Sequence, residues 1–132
     1  GRICLIDAKR QTLFGHSLGG YFALYMLFNK PGAFQTYIAG SPSIWWKRHS
    51  LLQRLPKFEE RLGRGDVKVS LLIGIGSEEK PSMVEDAQRL YERLKLFEGE
   101  GLRLGYRKFD GEGHISVLYP LISELLRFIE AK

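Results

Sequence analysis

Residues 11–20, QTLFGHSLGG, contain the transition that decides the fold. The first part, residues 11–15, is a short apolar segment typical of a strand. The next segment, residues 17–30, has the spacing of a helix, which Pro31 then ends. The apolar stripe predicted for this helix consists of Leu18, Phe22, Tyr25 and Phe28. This stretch therefore predicts a strand that passes through a tight turn directly into a helix.

The remainder of the chain repeats this strand–helix unit. Further apolar segments predict strands at residues 35–39, 67–76 and 102–109. Helical spacing recurs at residues 83–97 and 117–131, and residues 45–63 are irregular and short-helical. Alternating strands and helices of this length predict an α/β fold in which four mostly parallel strands carry helices on both faces. The sequence has neither repeats nor linkers, so we expect residues 1–132 to form one domain.

The turn at the centre of residues 11–20 has the pattern Gly-x-Ser-x-Gly. Between a strand and a helix, this pattern is typical of a nucleophile elbow, in which a serine on a strained turn exposes its hydroxyl. Small flanking residues are needed because the helix approaches the sheet closely there. We therefore predict Ser17 as the nucleophile and the backbone N–H of Leu18 as an oxyanion donor. His16, inside the elbow, is predicted to contact substrate.

A serine hydroxyl is a weak nucleophile at neutral pH, so the elbow requires a base. His114 lies in a glycine-flanked segment, GEGH, just beyond the last predicted strand. Because the carboxyl ends of parallel strands meet at one edge of a sheet, His114 would rise beside Ser17. The other histidines suit this role less, since His16 is held inside the elbow and His49 lies in the irregular segment. We predict His114 as the general base.

An acid that orients the base is expected between Ser17 and His114, at the end of the third predicted strand. Residues 76–79, GSEE, occupy that position. Glu79 is the preferred acid and Glu78 is the second choice. In the alternative interpretation, both are solvated charges that favour the dipole of the following helix.

The composition narrows the functional class. The chain has 20 Lys and Arg against 15 Asp and Glu, a net charge of +5, but the basic residues are spread along the sequence, which argues against nucleic acid as a partner. No apolar run is long enough to span a membrane. The single cysteine, Cys4, forms no internal disulfide, so we expect a reducing, cytoplasmic location. The cysteine and histidine spacing predicts no metal site, and a dinucleotide fingerprint is incomplete, so we expect no cofactor.

An aromatic pair beside two cations follows the second predicted strand, in the segment SPSIWWKR. It lies at the sheet edge where the nucleophile is predicted. Trp45, Trp46 and Arg48 suit contact with an anionic aromatic substrate. The alternative is that these side chains pack within the irregular segment.

Four segments of the chain resemble the putative-esterase (esterase D-like) family of α/β-hydrolases: GHSLGGYFALYMLF, AGSPSIWW, the GSEE turn and GEGHISV. Within that family, the resemblance is nearest to siderophore (catecholate trilactone) esterases. It implies a small-molecule ester as substrate, Ser17 as nucleophile, His114 as base and Glu79 as acid. A Ser-His pair without an acid is an alternative arrangement in esterases of this type. S-formylglutathione and acetyl or feruloyl sugar esters are the alternative substrates.

The resemblance also implies a longer fold than this chain provides. Domains of this kind usually have about 200–250 residues, so the chain resembles the C-terminal half of one. We therefore expect a truncated domain without the loop that gives the second oxyanion donor. A catalytically weak remnant that serves in binding or assembly is the alternative function. We also expect residues 11–14 to form an exposed sheet edge that pairs in a homodimer, unless residues 1–7 cover that edge or exchange between subunits.

Overall fold

A computed structural model of the chain describes residues 2–7 and 11–131. They form one five-stranded sheet, in which the strands lie side by side in chain order: β1 Arg2–Asp7, β2 Thr12–Ser17, β3 Thr36–Gly40, β4 Val69–Gly76 and β5 Leu102–Phe109. The helices are α1 Leu18–Asn29, α2 Trp46–His49, α3 Leu55–Gly63, α4 Pro81–Lys95 and α5 Leu118–Glu130. Two 3₁₀ turns complete the connections, at Pro31–Ala33 and Ser50–Arg54.

Strands β2 to β5 are parallel to one another, which confirms the predicted α/β fold with four parallel strands. Strand β1 runs antiparallel to β2 and is a fifth strand that the sequence pattern did not predict. The carboxyl ends of β2 to β5 meet at one edge of the sheet, because parallel strands share a direction. The turns that follow β2, β3, β4 and β5 are therefore neighbours in space.

The two faces of the sheet are covered unequally. From β2 to β5, each strand lies next to the preceding one, and the sheet grows in a single direction. Right-handed connections between such strands place α1, α3 and α4 on the same face of the sheet. Their buried apolar side chains form the larger core cluster. Helix α5 follows the last strand and covers the opposite face with a smaller cluster: Phe14, Ile38, Leu72, Leu121, Leu125, Phe128 and Ile129.

Helix α1 turns a different face to the sheet from the one predicted. Phe22 is 46% exposed and Tyr25 is 36% exposed, whereas Gly20 and Ala23 are buried. The reason is close packing, since a Cβ at Gly20 would lie 2.8 Å from the carbonyl oxygen of Gly40. The small residues of α1 therefore face the sheet and Phe22 and Tyr25 face outward, whereas Phe28 is buried as predicted.

The predicted exposed edge at residues 11–14 is wrong. Strand β1 pairs with β2 along its whole length, from Arg2 opposite Ser17 to Asp7 opposite Thr12. The backbone groups on that side of β2 therefore form hydrogen bonds within the chain. Residues 2–7 therefore cover the edge of β2, while Gly1 lies outside the described part of the chain. A homodimer through residues 11–14 no longer has an unpaired edge to support it.

The described residues contain neither a membrane-spanning helix nor a cluster of metal ligands. No helix among the described residues is both long enough and apolar enough to cross a membrane. Across the same residues, no group of three or more His, Cys, Asp or Glu side chains is placed to hold a metal ion. The side chain of Cys4 lies outside what the structure describes.

Candidate active site

Ser17 is the last residue of β2 and directly precedes α1. Its backbone has a φ of 64° and a ψ of −119°, a conformation that is strained for any residue other than glycine. The turn is so tight that a Cβ at Gly15 would overlap the carbonyl oxygen of Gly19. Glycine is therefore required at position 15, and the strained turn directs the Ser17 side chain into a cavity at the edge of the sheet.

His114 lies in the turn after β5 and contacts Ser17. The Ser17 hydroxyl donates to Nε2 of His114 at 2.9 Å, and Nδ1–H of His114 donates to Oε1 of Glu79 at 2.6 Å. The turns after β4 and β5 are held together, since the Glu78 N–H donates to the Glu112 carbonyl oxygen at 2.9 Å. The turn that carries the base is thus fixed against the turn that carries the acid.

Glu79 lies in the turn between β4 and α4, and its side chain is 1% exposed. While Oε1 accepts from His114, Oε2 accepts from the Gly76 N–H at 2.7 Å and from the Ser41 hydroxyl at 2.5 Å. Three hydrogen-bond donors therefore surround this buried carboxylate and fix its orientation. Glu78, the second choice for the acid, is exposed and forms no such set of contacts.

The structure brings Ser17, His114 and Glu79 together in one hydrogen-bonded series. In this arrangement Nε2 of His114 can accept the Ser17 proton, and Glu79 orients the ring by holding Nδ1–H. Leu18 is the first residue of α1, where backbone N–H groups have no acceptor within the helix. Its N–H can therefore donate to negative charge that develops beside Ser17.

His16 occupies a different place from the one predicted. Its side chain is 1% exposed and packs behind His114, with the two ring centroids 4.8 Å apart. Nε2–H donates to the backbone carbonyl oxygen of His114 at 2.7 Å, while Nδ1 has no hydrogen-bond partner among the described residues. Burial lowers the pKa of His16 below its ordinary value of 6.5. Because the His16 side chain is buried, it cannot contact substrate. Its hydrogen bond supports the turn that carries His114.

We expect His16 to make the fold less stable in acid. The unfolded chain binds a proton at His16 near pH 6.5, whereas the folded chain keeps this ring neutral to lower pH. The unfolded state therefore binds more protons below that pH, and the free energy of unfolding decreases as the pH falls. His16→Gln keeps a donor for the His114 carbonyl oxygen but cannot titrate, so its free energy of unfolding should decrease less.

Urea unfolding of the original protein and the His16→Gln variant between about pH 8 and about pH 5 measures this difference. The alkaline end of the range gives the cost of the substitution itself, because the ring is neutral there in both states. Parallel pH dependences for the two proteins would contradict the burial of a neutral His16.

The cavity above Ser17 has a volume of about 580 Å³, within the range of small-molecule sites. It combines apolar and charged surface, and its lining consists of Ser17, Ser43, Trp45, Glu78, Glu79, Lys80, Ser82, Met83 and His114. Of the predicted substrate contacts, Trp45 is in this lining. Four of the lining residues have no role that the sequence predicts: Ser43, Lys80, Ser82 and Met83. Their position in the chain could have indicated that they line the site, because they follow the carboxyl ends of β3 and β4.

A second, more open cavity of about 730 Å³ shares Trp45 with the first. It is lined by Trp45, Trp46, Lys47, Arg48 and His49. The indole rings of Trp45 and Trp46 meet edge to face, with centroids 5.6 Å apart. Within the short segment α2, residues 47–49 all have positive φ angles, from 51° to 60°, so this segment is a left-handed turn and not a regular α-helix. Trp46 and Arg48 thus lie in the cavity next to that of the nucleophile.

The chain resembles known esterases over nearly its whole length. Residues 5–116 match the family model described as "Putative esterase". The chain is 48% identical over 126 residues to the ferri-bacillibactin esterase BesA of Bacillus subtilis, and 32% identical over 147 residues to the siderophore enterobactin esterase of Emericella nidulans. These alignments cover 93% and 94% of this chain, but 44% and 48% of the two relatives.

A solved structure gives the same result for the fold. The BES protein from Bacillus cereus superimposes with a TM-score of 0.84 at 40% identity, over 89% of this chain and 44% of that one. The chain thus spans slightly less than half the length of these relatives. Since the family model matches most of the chain and the parallel sheet is that of its structural relatives, the chain belongs to the "Putative esterase" family of α/β-hydrolases.

Proposed function

We propose that this chain hydrolyses carboxylic esters through a covalent intermediate on Ser17. The observation that carries the proposal is the hydrogen-bonded series from Ser17 through His114 to the buried carboxylate of Glu79. The series lies in the lining of a cavity of suitable size for a small molecule. The relatives that are named as esterases support a hydrolase.

In the first half of the reaction, Oγ of Ser17 attacks the ester carbonyl carbon while its proton moves to Nε2 of His114. The tetrahedral intermediate collapses as the bond to the alkoxide oxygen breaks, and His114 returns the proton to that oxygen. In the second half, His114 takes a proton from water, and the resulting hydroxide attacks the acyl carbon. The acid is released, and Ser17 regains its proton.

Stabilisation of the oxyanion determines how fast this chain can turn over. The Leu18 N–H supplies one donor from the start of α1. Removing one donor from an oxyanion hole typically costs about 10²–10³ in rate. We therefore expect slow turnover unless a second donor joins Leu18, and slow turnover would not contradict the assignment of Ser17.

For the substrate, we propose an ester with anionic aromatic groups, of the siderophore trilactone type. Trp45 connects the cavity above Ser17 with the one lined by Trp46 and Arg48, so a ligand with several aromatic arms can occupy both. The left-handed turn that carries Arg48 is attached to α4 by the contact of His49 Nε2 with the Asp86 carboxylate at 2.9 Å. Names of two relatives, ferri-bacillibactin esterase and siderophore enterobactin esterase, support this substrate class.

The test compares a ferric catecholate trilactone with p-nitrophenyl acetate, which has neither catecholate arms nor negative charge. Intact mass spectrometry first establishes that the assayed sample is the 132-residue chain. We expect hydrolysis of both esters. In the double variant Trp46→Ala, Arg48→Ala, the KM for the trilactone should rise roughly tenfold or more, because aromatic and cation–π contacts each contribute about 0.5–2 kcal/mol. The KM for p-nitrophenyl acetate should not change.

The outcomes separate the two parts of the proposal. An unchanged KM for the trilactone would contradict the proposed substrate but not the proposed esterase activity. The substrate would then be another ester, such as S-formylglutathione or a feruloyl ester. If the folded chain hydrolyses neither ester, the remnant interpretation is correct instead.

A further inference from the structure

Ser41 is a buried residue that the mechanism above does not use. It directly follows β3, has no exposed surface, and lies between the nucleophile turn and the acid turn. Its hydroxyl donates to Oε2 of Glu79 at 2.5 Å, and its N–H donates to the Gly74 carbonyl oxygen at 2.7 Å. Through these two bonds Ser41 holds both the backbone of β4 and the carboxylate beyond it.

The backbone at Ser41 is strained, with a φ of 42°. Glycine adopts such angles without cost, and asparagine and aspartate tolerate them better than serine does. A buried hydroxyl also needs a hydrogen-bond partner, and here Glu79 supplies it. Because the backbone conformation does not favour serine at this position, the useful property of Ser41 is its hydroxyl group.

We propose that Ser41 is a positioning residue for the acid, and that the relay has four members in the order Ser41, Glu79, His114 and Ser17. The proposal rests on the esterase function above. Ser41 and the Gly76 N–H hold Oε2, so that Oε1 faces Nδ1 of His114. The two donors also draw negative charge toward Oε2 and away from the oxygen that His114 contacts.

Removal of the Ser41 hydroxyl should therefore loosen the contact between Glu79 and His114. With one donor fewer, Oε2 of Glu79 is held by the Gly76 N–H alone, and Oε1 no longer has a fixed position toward Nδ1 of His114. We expect kcat to fall roughly tenfold, because the base is oriented less well, whereas the KM for p-nitrophenyl acetate should not change.

The variants Ser41→Ala and Ser41→Gly both remove the hydroxyl, and the glycine variant also removes the backbone strain, so at least one should fold. Ser41→Cys retains a weak donor and should lie between them and the original protein. The matched control is Ser70→Ala, which removes a serine hydroxyl that accepts from a charged side chain, Arg103, at 3.1 Å near the start of β4. This control should keep the original kcat.

A second readout needs no turnover: the low-field proton resonance of His114 Nδ1–H, which reports the bond to Glu79. We expect this resonance to shift in Ser41→Ala and Ser41→Gly and to stay unchanged in Ser70→Ala. Folded variants without the hydroxyl that keep the original resonance would overturn the role of Ser41. Absence of ester hydrolysis in the original protein, in contrast, would refute the proposed function, while the resonance would still test the contact between Ser41 and Glu79.

Discussion

Ser17→Ala should reduce ester hydrolysis to the background rate, whatever the substrate. Ser17 is the residue on the strained turn whose hydroxyl donates to His114, so its removal leaves no oxygen to form the acyl intermediate. In enzymes with such a series, loss of the serine costs about 10⁶ in kcat. Steady-state hydrolysis of p-nitrophenyl acetate measures the loss, and the variant should fold because alanine removes only the hydroxyl oxygen and leaves no cavity of any size.

A fluorophosphonate probe checks the same residue without a substrate. The probe should add its mass to the original protein and not to the Ser17→Ala variant. Peptide mapping should place the adduct on Ser17, and not on Ser41, which is fully buried, or on Ser43, which lines the same cavity. An adduct on either of the other serines would refute Ser17 as the nucleophile.

Glu79→Gln is expected to lower kcat by about 10⁴, as blocking the acid does in comparable triads. The amide has only one oxygen to accept hydrogen bonds, and two donors, the Ser41 hydroxyl and the Gly76 N–H, compete for it. The NH₂ group then faces Nδ1 of His114, which favours the tautomer with its proton on Nε2. In that tautomer His114 cannot accept the Ser17 proton.

The matched control for this substitution is Glu78→Gln, one residue earlier in the same turn. Glu78 is exposed, so the same chemical change there should leave kcat within a few-fold of the original value. Both variants are assayed with p-nitrophenyl acetate, and circular dichroism shows whether each folds. If Glu79→Gln also stays within a few-fold, the site is a Ser-His pair that works without an acid.

The sequence predicts the strands of this fold better than the orientation of its helices. Strand β5 spans the predicted residues 102–109, because apolar alternation records which face of a strand is buried. Helix α1 is apolar on nearly all sides, so periodicity alone cannot identify its buried face. The close approach at Gly20 decides that face, and the adjacent small residues of the helix were the available signal.

The sequence predicts a site residue only where the residue type indicates a chemical role and its position in the chain indicates the sheet edge that carries the site. Ser17 is the last residue of a parallel strand and His114 and Glu79 each follow one, and the structure places the three in contact. The position of His16 could not be predicted, because its burial depends on the turn that carries His114, 98 residues away in the chain. Ser41 lies in the segment SPSIWWKR, but its contact could not be predicted, because its hydroxyl donates to a carboxylate 38 residues away in the chain.

The order of the strands also has a consequence for synthesis. Because neighbours in the sheet are successive in the chain, each new strand can join the growing edge as it leaves the ribosome. Ser17 belongs to the second strand, whereas His114 comes 97 residues later, after the fifth. The hydrogen-bonded series from Ser17 to His114 therefore spans the parallel part of the sheet, and it can form only after β5 has joined the growing edge.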